Sequence, residues 1–188
     1  MNLPNKLTML RIILIPVFLV LVLVESIPLH YLWALLVYLI ACITDTLDGH
    51  IARSRGLVTD FGKLMDPLAD KCLTTAAFIY MVVDGVCSPI VLAVILFREF
   101  AVAGVRMIAA ETGTVIAANM WGKVKTVLQM LSIIFYFFGT ALCWNGTLES
   151  ITVVVLVSIL LCWLVAIVTA VSGIKYLWDN RSFINTAK

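Results

Sequence analysis

The sequence predicts an all-α membrane protein, with six transmembrane helices around a polar cavity that faces the cytoplasm. Its 188 residues are 63% hydrophobic and only 13% charged, whereas a soluble domain carries about 25% charged residues. Six apolar stretches follow one another, and crossing a bilayer takes about 20 such residues. The stretches are residues 9–25, 31–53, 61–83, 89–110, 121–143 and 150–176. No linker, low-complexity tract or repeat divides them, so we expect one domain over residues 1–188.

The first and last stretches are interpreted from the residues at their ends. The first has the hydrophobicity of a signal peptide, but it lacks a small-residue cleavage pattern and Glu25 follows it directly. We therefore expect it to be retained as a helix. Aromatic residues near the helix ends, including Tyr176 at the end of the last stretch and Trp178 just after it, are expected to anchor at the membrane surface.

The distribution of lysine and arginine predicts the orientation of the helices. The connections 25–30, 84–88 and 144–149 contain no lysine or arginine, and all 13 basic residues lie toward the opposite helix ends. Basic residues concentrate on the cytoplasmic side of membrane proteins. Both termini and the 54–60 and 111–120 connections are therefore expected in the cytoplasm.

Four aspartates lie near the junction of the second and third stretches. Asp45 and Asp48 are three residues apart, and Asp66 and Asp70 are four apart, so each pair shares one face of a helix. The short connection makes the two helices antiparallel neighbours, and four facing carboxylates at membrane depth repel one another. Hard cations bound by oxygen, such as Mg²⁺, Mn²⁺ or Ca²⁺, would offset that charge. Two such ions about 3.5–4 Å apart are the usual arrangement for displacement at phosphorus.

Two alternatives to a catalytic metal site remain for these acids. They could pair with nearby bases such as Arg53 and Lys71 as a solvated collar. They could also form a divalent-cation transport site, although transporters carry ionisable groups near the midplane and often show an inverted repeat. The interleaved Gly49 and Gly62, which allow close approach of a backbone or ligand, favour a binding site.

The fourth and fifth stretches carry four bases at their cytoplasmic ends. Arg98 and Arg106 are two turns apart, and Lys123 and Lys125 open the fifth stretch. Together they would suit a phosphate dianion. The alternatives are that Arg106 and the lysines extend to lipid headgroups, and that Arg98 forms a structural ion pair with the adjacent Glu99.

The spacing D-x2-D-G-x2-A-R-x8-G-x3-D-x3-D runs without interruption from Asp45 to Asp70. This pattern resembles the signature of the CDP-alcohol phosphotransferase family. The resemblance extends to "MNLPNKLTMLRIILIPVF", "DFGKLMDPLADK", "REFAVAGVR" and "GKVKTVLQM", so it covers most of the chain. These stretches are similar to the bacterial branch of the family that uses glycerol 3-phosphate.

The resemblance implies a six-helix membrane enzyme, usually a dimer, that cleaves a CDP-linked donor and releases CMP. By position, the four aspartates would hold Mg²⁺ or Mn²⁺ in a two-metal site. Asp70 would also be the general base for the acceptor hydroxyl. The residues that would contact the CDP-diacylglycerol donor are Asn5, Thr8, Gly49, Arg53 and Thr59.

The signature says less about the identity of the acceptor, because its residues are expected to bind the donor. Glycerol 3-phosphate is the expected acceptor, with Arg98, Arg106, Lys123 and Lys125 around its phosphate. An inositol phosphate or serine is the alternative within the family. The resemblance also implies a bacterial plasma membrane, contacts with membrane lipids, a homodimer and no nucleic-acid partner.

Overall fold

The structure is a computed structural model that describes residues 3–54, 60–111, 116, 120–143 and 148–181. Within these ranges, nothing is described of the side chains of residues 3–6, 46–54, 60–64, 66, 67 and 111. The described backbone forms six α-helices, which confirms the predicted all-α class. They are α1 (Leu3–Leu23), α2 (His30–Ser54), α3 (Asp60–Val83), α4 (Pro89–Glu111), α5 (Met120–Leu142) and α6 (Leu148–Asp179).

The helices match the six predicted stretches closely, and the largest difference is at the beginning of α1. That helix begins at Leu3 rather than at residue 9. In the described part of the chain, α5 and α6 are long and apolar enough to cross a bilayer by composition alone, and 7–23 and 30–45 are shorter apolar helices. The charged residues of α3 and α4 interrupt their apolar runs. The helices are therefore confirmed, while the number of membrane crossings stays a prediction.

A tight turn ends α3 and is followed by the cap of α4. Gly85 has a φ of 72°, a left-handed conformation that glycine adopts without steric strain. Its amide donates to the carbonyl of Val82 at 3.0 Å, which closes the end of α3. Ser88 then caps α4, because its hydroxyl accepts from the amide of Ile90 at 3.3 Å. Pro89 occupies the first helical position, where its missing amide proton is not needed.

The described contacts divide the chain into two units, of which the first comprises residues up to Tyr80 together with 134–154. Its core contains a cluster of aromatic rings. Phe137 contacts Phe18 edge-on with ring centroids 5.6 Å apart and stacks on Tyr80 at 6.0 Å. The hydroxyl of Tyr80 on α3 donates to that of Tyr31 on α2 at 3.4 Å. These two helices are thus neighbours, as the short connection between them predicts.

The second unit comprises residues 81–133 and those from Val155 onward. It contains α4, the first part of α5 and most of α6. Val102 and Val105 on α4 pack against the buried Tyr176 on α6. The hydroxyl of Ser132 on α5 lies 3.8 Å from the thiol of Cys162 on α6. Both side chains are buried, so this contact pairs two polar groups inside the unit.

Close packing in the first unit makes Gly139 sensitive to enlargement. A Cβ added there would lie 2.8 Å from Cγ1 of Val154 and 3.1 Å from its Cγ2. We expect Gly139→Ala to destabilise the protein by about 1–3 kcal/mol, the usual range for overpacking. Thermal unfolding in detergent would measure this. Gly139→Ala combined with Val154→Ala should recover most of the loss, and a single variant as stable as the parent would contradict the contact.

Candidate active site

An ion pair joins the first helix to the aspartate motif. Nη1 of Arg11 on α1 lies 2.6 Å from Oδ1 of Asp45 on α2. The arginine side chain is 1% exposed, whereas that of the aspartate is 40% exposed. A buried guanidinium requires such a partner, because an unpaired charge is very unfavourable away from water. The ion pair therefore orients Asp45 and leaves part of its side chain accessible.

The role of Arg11 was missed in the sequence interpretation, which counted it only among the cytoplasmic bases. One signal was present: Arg11 is the only charged residue between Lys6 and Glu25, within an otherwise apolar helix. Thr8, three residues earlier on the same face, is fully buried. Both side chains therefore lie on the buried face of α1.

Asp70 on α3 shares its surroundings with Asp45 on α2. Cys42 on α2 lies near both carboxylates and near Arg11, and Tyr38 lies near Asp70. Asp70 itself is exposed. One carboxylate from each predicted pair thus lies close to the same position on α2.

The remaining motif residues are described by backbone alone or not at all. Asp48, Gly49 and Arg53 lie in the helical backbone of α2, Asp66 in that of α3 and Asn5 in that of α1. Their predicted side-chain contacts lie outside the described residues. Thr59 falls in the undescribed range between α2 and α3.

The described carboxylates fit the ligand set of a hard divalent cation. Asp45 and Asp70 each expose carboxylate surface on neighbouring helices, and Mg²⁺ and Mn²⁺ prefer oxygen ligands of this kind. Among the described side chains, no three potential ligands come together. Asp48 and Asp66, the other half of the predicted set, are not among those side chains.

The four predicted bases line a single pocket in the second unit, with a volume of about 410 Å³. We call it the basic pocket. Its walls come from α4, α5 and α6, so residues far apart in sequence meet there. The lining residues are Arg98, Glu99, Arg106, Gly122, Lys123, Lys125, Thr126, Val127 and Tyr176.

Glu99 connects two of these bases. Its Oε1 contacts Nζ of Lys125 on α5 and lies 3.5 Å from Nη1 of Arg98. The side chains of Arg98, Glu99 and Lys125 are 11%, 17% and 4% exposed, respectively. Lys125 is therefore held inside the unit, which contradicts the alternative that it extends to lipid headgroups. The predicted Arg98–Glu99 pair exists, but it is part of a three-residue network.

Arg106 is oriented by an aromatic side chain that the sequence interpretation placed at the membrane surface. Its Nε donates to the hydroxyl of Tyr176 at 3.3 Å, and its guanidinium carbon lies 5.7 Å from the ring centroid. Tyr176 is 3% exposed, so its expected role as a membrane anchor is wrong. Position near a helix end does not reveal which way a ring points, because that depends on the packing of α6 against α4.

Lys123 lies on the same wall as Lys125 but is exposed. It can approach a ligand in the basic pocket or solvent outside it, since its stem is flexible. The pocket thus combines the buried Lys125 and the half-buried Arg98, both in contact with Glu99, with two more accessible bases. Such a set suits a small anion with more than one charged oxygen.

Comparison with known proteins supports a single family over nearly the whole chain. The model of the family described as CDP-alcohol phosphatidyltransferase matches residues 1–174. The chain is 39% identical to a CDP-diacylglycerol–glycerol-3-phosphate 3-phosphatidyltransferase of Bacillus subtilis, over 99% of this chain and 98% of the relative. It is 36% identical to a protein of the same name from Rickettsia bellii, over 93% of each.

A third relative is longer than this chain, which covers a smaller share of it. A probable phosphatidylglycerophosphate synthase of Mycobacterium tuberculosis is 35% identical over 93% of this chain and 79% of its own length. The family match begins at residue 1, includes the whole aspartate motif and ends in α6 at residue 174. This chain therefore belongs to the CDP-alcohol phosphatidyltransferase family.

Proposed function

We propose that this protein transfers the phosphatidyl group of CDP-diacylglycerol to sn-glycerol 3-phosphate, giving phosphatidylglycerophosphate and CMP. The observation that carries the acceptor assignment is the basic pocket, in which Arg98 and Lys125 are nearly buried and oriented by Glu99. The pocket lining has four bases and one carboxylate, so a phosphate-bearing acceptor would offset its excess positive charge, whereas a neutral or cationic alcohol would not. The names of the full-length relatives support the same reaction.

The donor is assigned to the aspartate motif. Gly49 allows close approach of the nucleotide, and Arg53 and Thr59 contact its phosphates and sugar. Asn5 and Thr8 contribute from α1. Because Thr8 is fully buried and lies on the same face as Arg11, it stabilises this end of α1 as well.

Asp70 acts as the general base in this proposal. An alcohol is a weak nucleophile, so its proton must move to a carboxylate as the new bond forms. The hydroxyl oxygen of glycerol 3-phosphate attacks the β-phosphorus, and its proton passes to Asp70. The bond between that phosphorus and the bridging oxygen breaks, and CMP leaves with that oxygen. The exposed position of Asp70 gives substrates access to it.

Asp45, Asp48, Asp66 and Asp70 would hold Mg²⁺ or Mn²⁺, with two ions expected. When bound, these ions supply positive charge that stabilises the pyrophosphate oxygens as negative charge develops on them. The Arg11–Asp45 pair orients one of the four carboxylates and offsets its charge. Arg11 and the metal ions would therefore together offset the negative charge of the four aspartates.

The membrane setting follows from the same reaction. The acyl chains of the donor remain in lipid while its CDP group enters from the cytoplasm, so the site belongs at the cytoplasmic edge. We place both termini in the cytoplasm, with six crossings in a bacterial plasma membrane. The resemblance to known members also favours a homodimer.

The direct test uses purified protein, CDP-diacylglycerol and Mg²⁺ with separate acceptors: glycerol 3-phosphate, an inositol phosphate, serine and plain glycerol. We expect CMP release with glycerol 3-phosphate and little with glycerol or serine, because these lack the phosphate. Release with inositol phosphate alone would reject the acceptor assignment. No release with any acceptor would reject the reaction.

Asp70→Asn should abolish turnover while largely retaining donor binding, because the amide keeps the shape of the carboxylate but cannot accept the proton. Initial rates of CMP release and equilibrium binding of CDP-diacylglycerol would separate the two effects. The exposed Asp84→Asn, in the connection between α3 and α4, is a matched control that should leave both unchanged. Near-normal turnover of Asp70→Asn would remove Asp70 from the role of base.

A further inference from the structure

The stem of Arg98 passes directly over a position on α6 that has no side chain. A Cβ added at Gly173 would lie 2.8 Å from Cγ of Arg98 and 3.6 Å from its Cβ. Cγ is near the root of the side chain, so a small rotation of the guanidinium would not relieve this contact. The path of Arg98 across α6 therefore depends on the absence of a side chain at Gly173.

A second glycine lies against the other end of the same side chain. A Cβ added at Gly122 on α5 would lie 3.2 Å from Nη2 of Arg98. This contact is tight, but it involves the tip of a flexible side chain, which can move by a few tenths of an ångström. Two helices thus contribute a glycine to the space that Arg98 occupies, one at its root and one at its tip.

Arg98 also lines a second cavity of about 500 Å³ between α4 and α6. That cavity is otherwise apolar, with Phe97, Val102 and Ile174 among its lining residues. A guanidinium displaced from the basic pocket toward these residues would lose polar partners, which is unfavourable for a charged group. The side chain therefore has no equivalent second position on that side of the unit.

We propose that Gly173 and Gly122 are positioning residues that place the Arg98 guanidinium in the basic pocket for the acceptor phosphate. This inference rests on the proposed function, because it assigns that phosphate to Arg98. Gly122 also lines the basic pocket, whereas Gly173 does not. Both glycines act by leaving room for the arginine side chain. Glu99, whose Oε1 lies 3.5 Å from Nη1 of Arg98, orients the guanidinium group.

An added Cβ would lie closer to Arg98 at Gly173 (2.8 Å) than at Gly122 (3.2 Å). We therefore expect alanine at Gly173 to have the larger effect on the KM for glycerol 3-phosphate. Gly173→Ala should raise it about tenfold, the size expected for misplacing a charge-assisted hydrogen bond. Gly122→Ala should raise it by a smaller factor, since only the tip of the arginine must shift. The KM for CDP-diacylglycerol should not change in either variant, because the donor is bound elsewhere.

Two other glycines in helices provide matched controls. Gly104 on α4 has nothing within 4 Å of an added Cβ, and Gly139 has an equally close contact but with Val154 rather than Arg98. Gly104→Ala should leave both KM values unchanged. Gly139→Ala should lower thermal stability without raising the KM for glycerol 3-phosphate, which separates positioning from general destabilisation.

The mechanism is tested most closely by removing the atom that the new methyl group would strike. In an Arg98→Ala background, where Cγ is absent, Gly173→Ala should cause no further rise in the acceptor KM. An equal rise in that background, or a wild-type KM in Gly173→Ala, would overturn the proposal. If Gly173→Ala does not fold, a wild-type KM in Gly122→Ala would overturn it instead. If the parent protein does not release CMP when glycerol 3-phosphate is added, the proposed function itself is wrong, which is a different outcome from failure of the positioning role.

Discussion

A charged side chain inside an apolar helical protein must have a partner, because transfer of an isolated charge away from water is very unfavourable. This constraint organises both candidate substrate sites. Arg11 is 1% exposed and pairs with Asp45 at 2.6 Å, and Lys125 is 4% exposed and pairs with Glu99. In each case one member of the pair lies deep and its partner is more accessible. Each ion pair restricts both of its side chains, so the pairs contribute to the geometry of the sites as well as to stability.

The two sites divide the chemistry by charge. Acids on α2 and α3 suit divalent cations, which would in turn offset the charge of the donor pyrophosphate, whereas bases on α4 and α5 suit a phosphate directly. Glu99 is the exception in the basic pocket, since it lowers the total positive charge there. Its contact with Lys125 and its 3.5 Å approach to Arg98 show why it is needed. Two nearly buried cations on adjacent helices would otherwise repel each other.

The all-α fold and the family could be predicted from sequence because both depend on local patterns. Apolar length gave the six helices to within a few residues, except that α1 begins at Leu3. The eight fixed positions of the aspartate motif, between Asp45 and Asp70, indicated the family before the structure was considered. The partners of Arg11 and Arg106 could not be predicted in this way. Asp45 is 34 residues from Arg11 and Tyr176 is 70 residues from Arg106, and such contacts depend on how each helix is rotated about its axis. The close approach of Gly122 and Gly173 to Arg98 could not be predicted for the same reason.

The central claim is that the basic pocket binds the acceptor independently of the aspartate motif. Equilibrium dialysis of labelled glycerol 3-phosphate against the purified protein, with and without EDTA, tests it most directly. The account predicts that binding persists in EDTA, persists in Asp70→Asn, and falls at least tenfold in Lys125→Ala, because the lost ammonium contributes about 1.5–3 kcal/mol to a bound phosphate. Binding that disappears in EDTA and is unchanged in Lys125→Ala would contradict it.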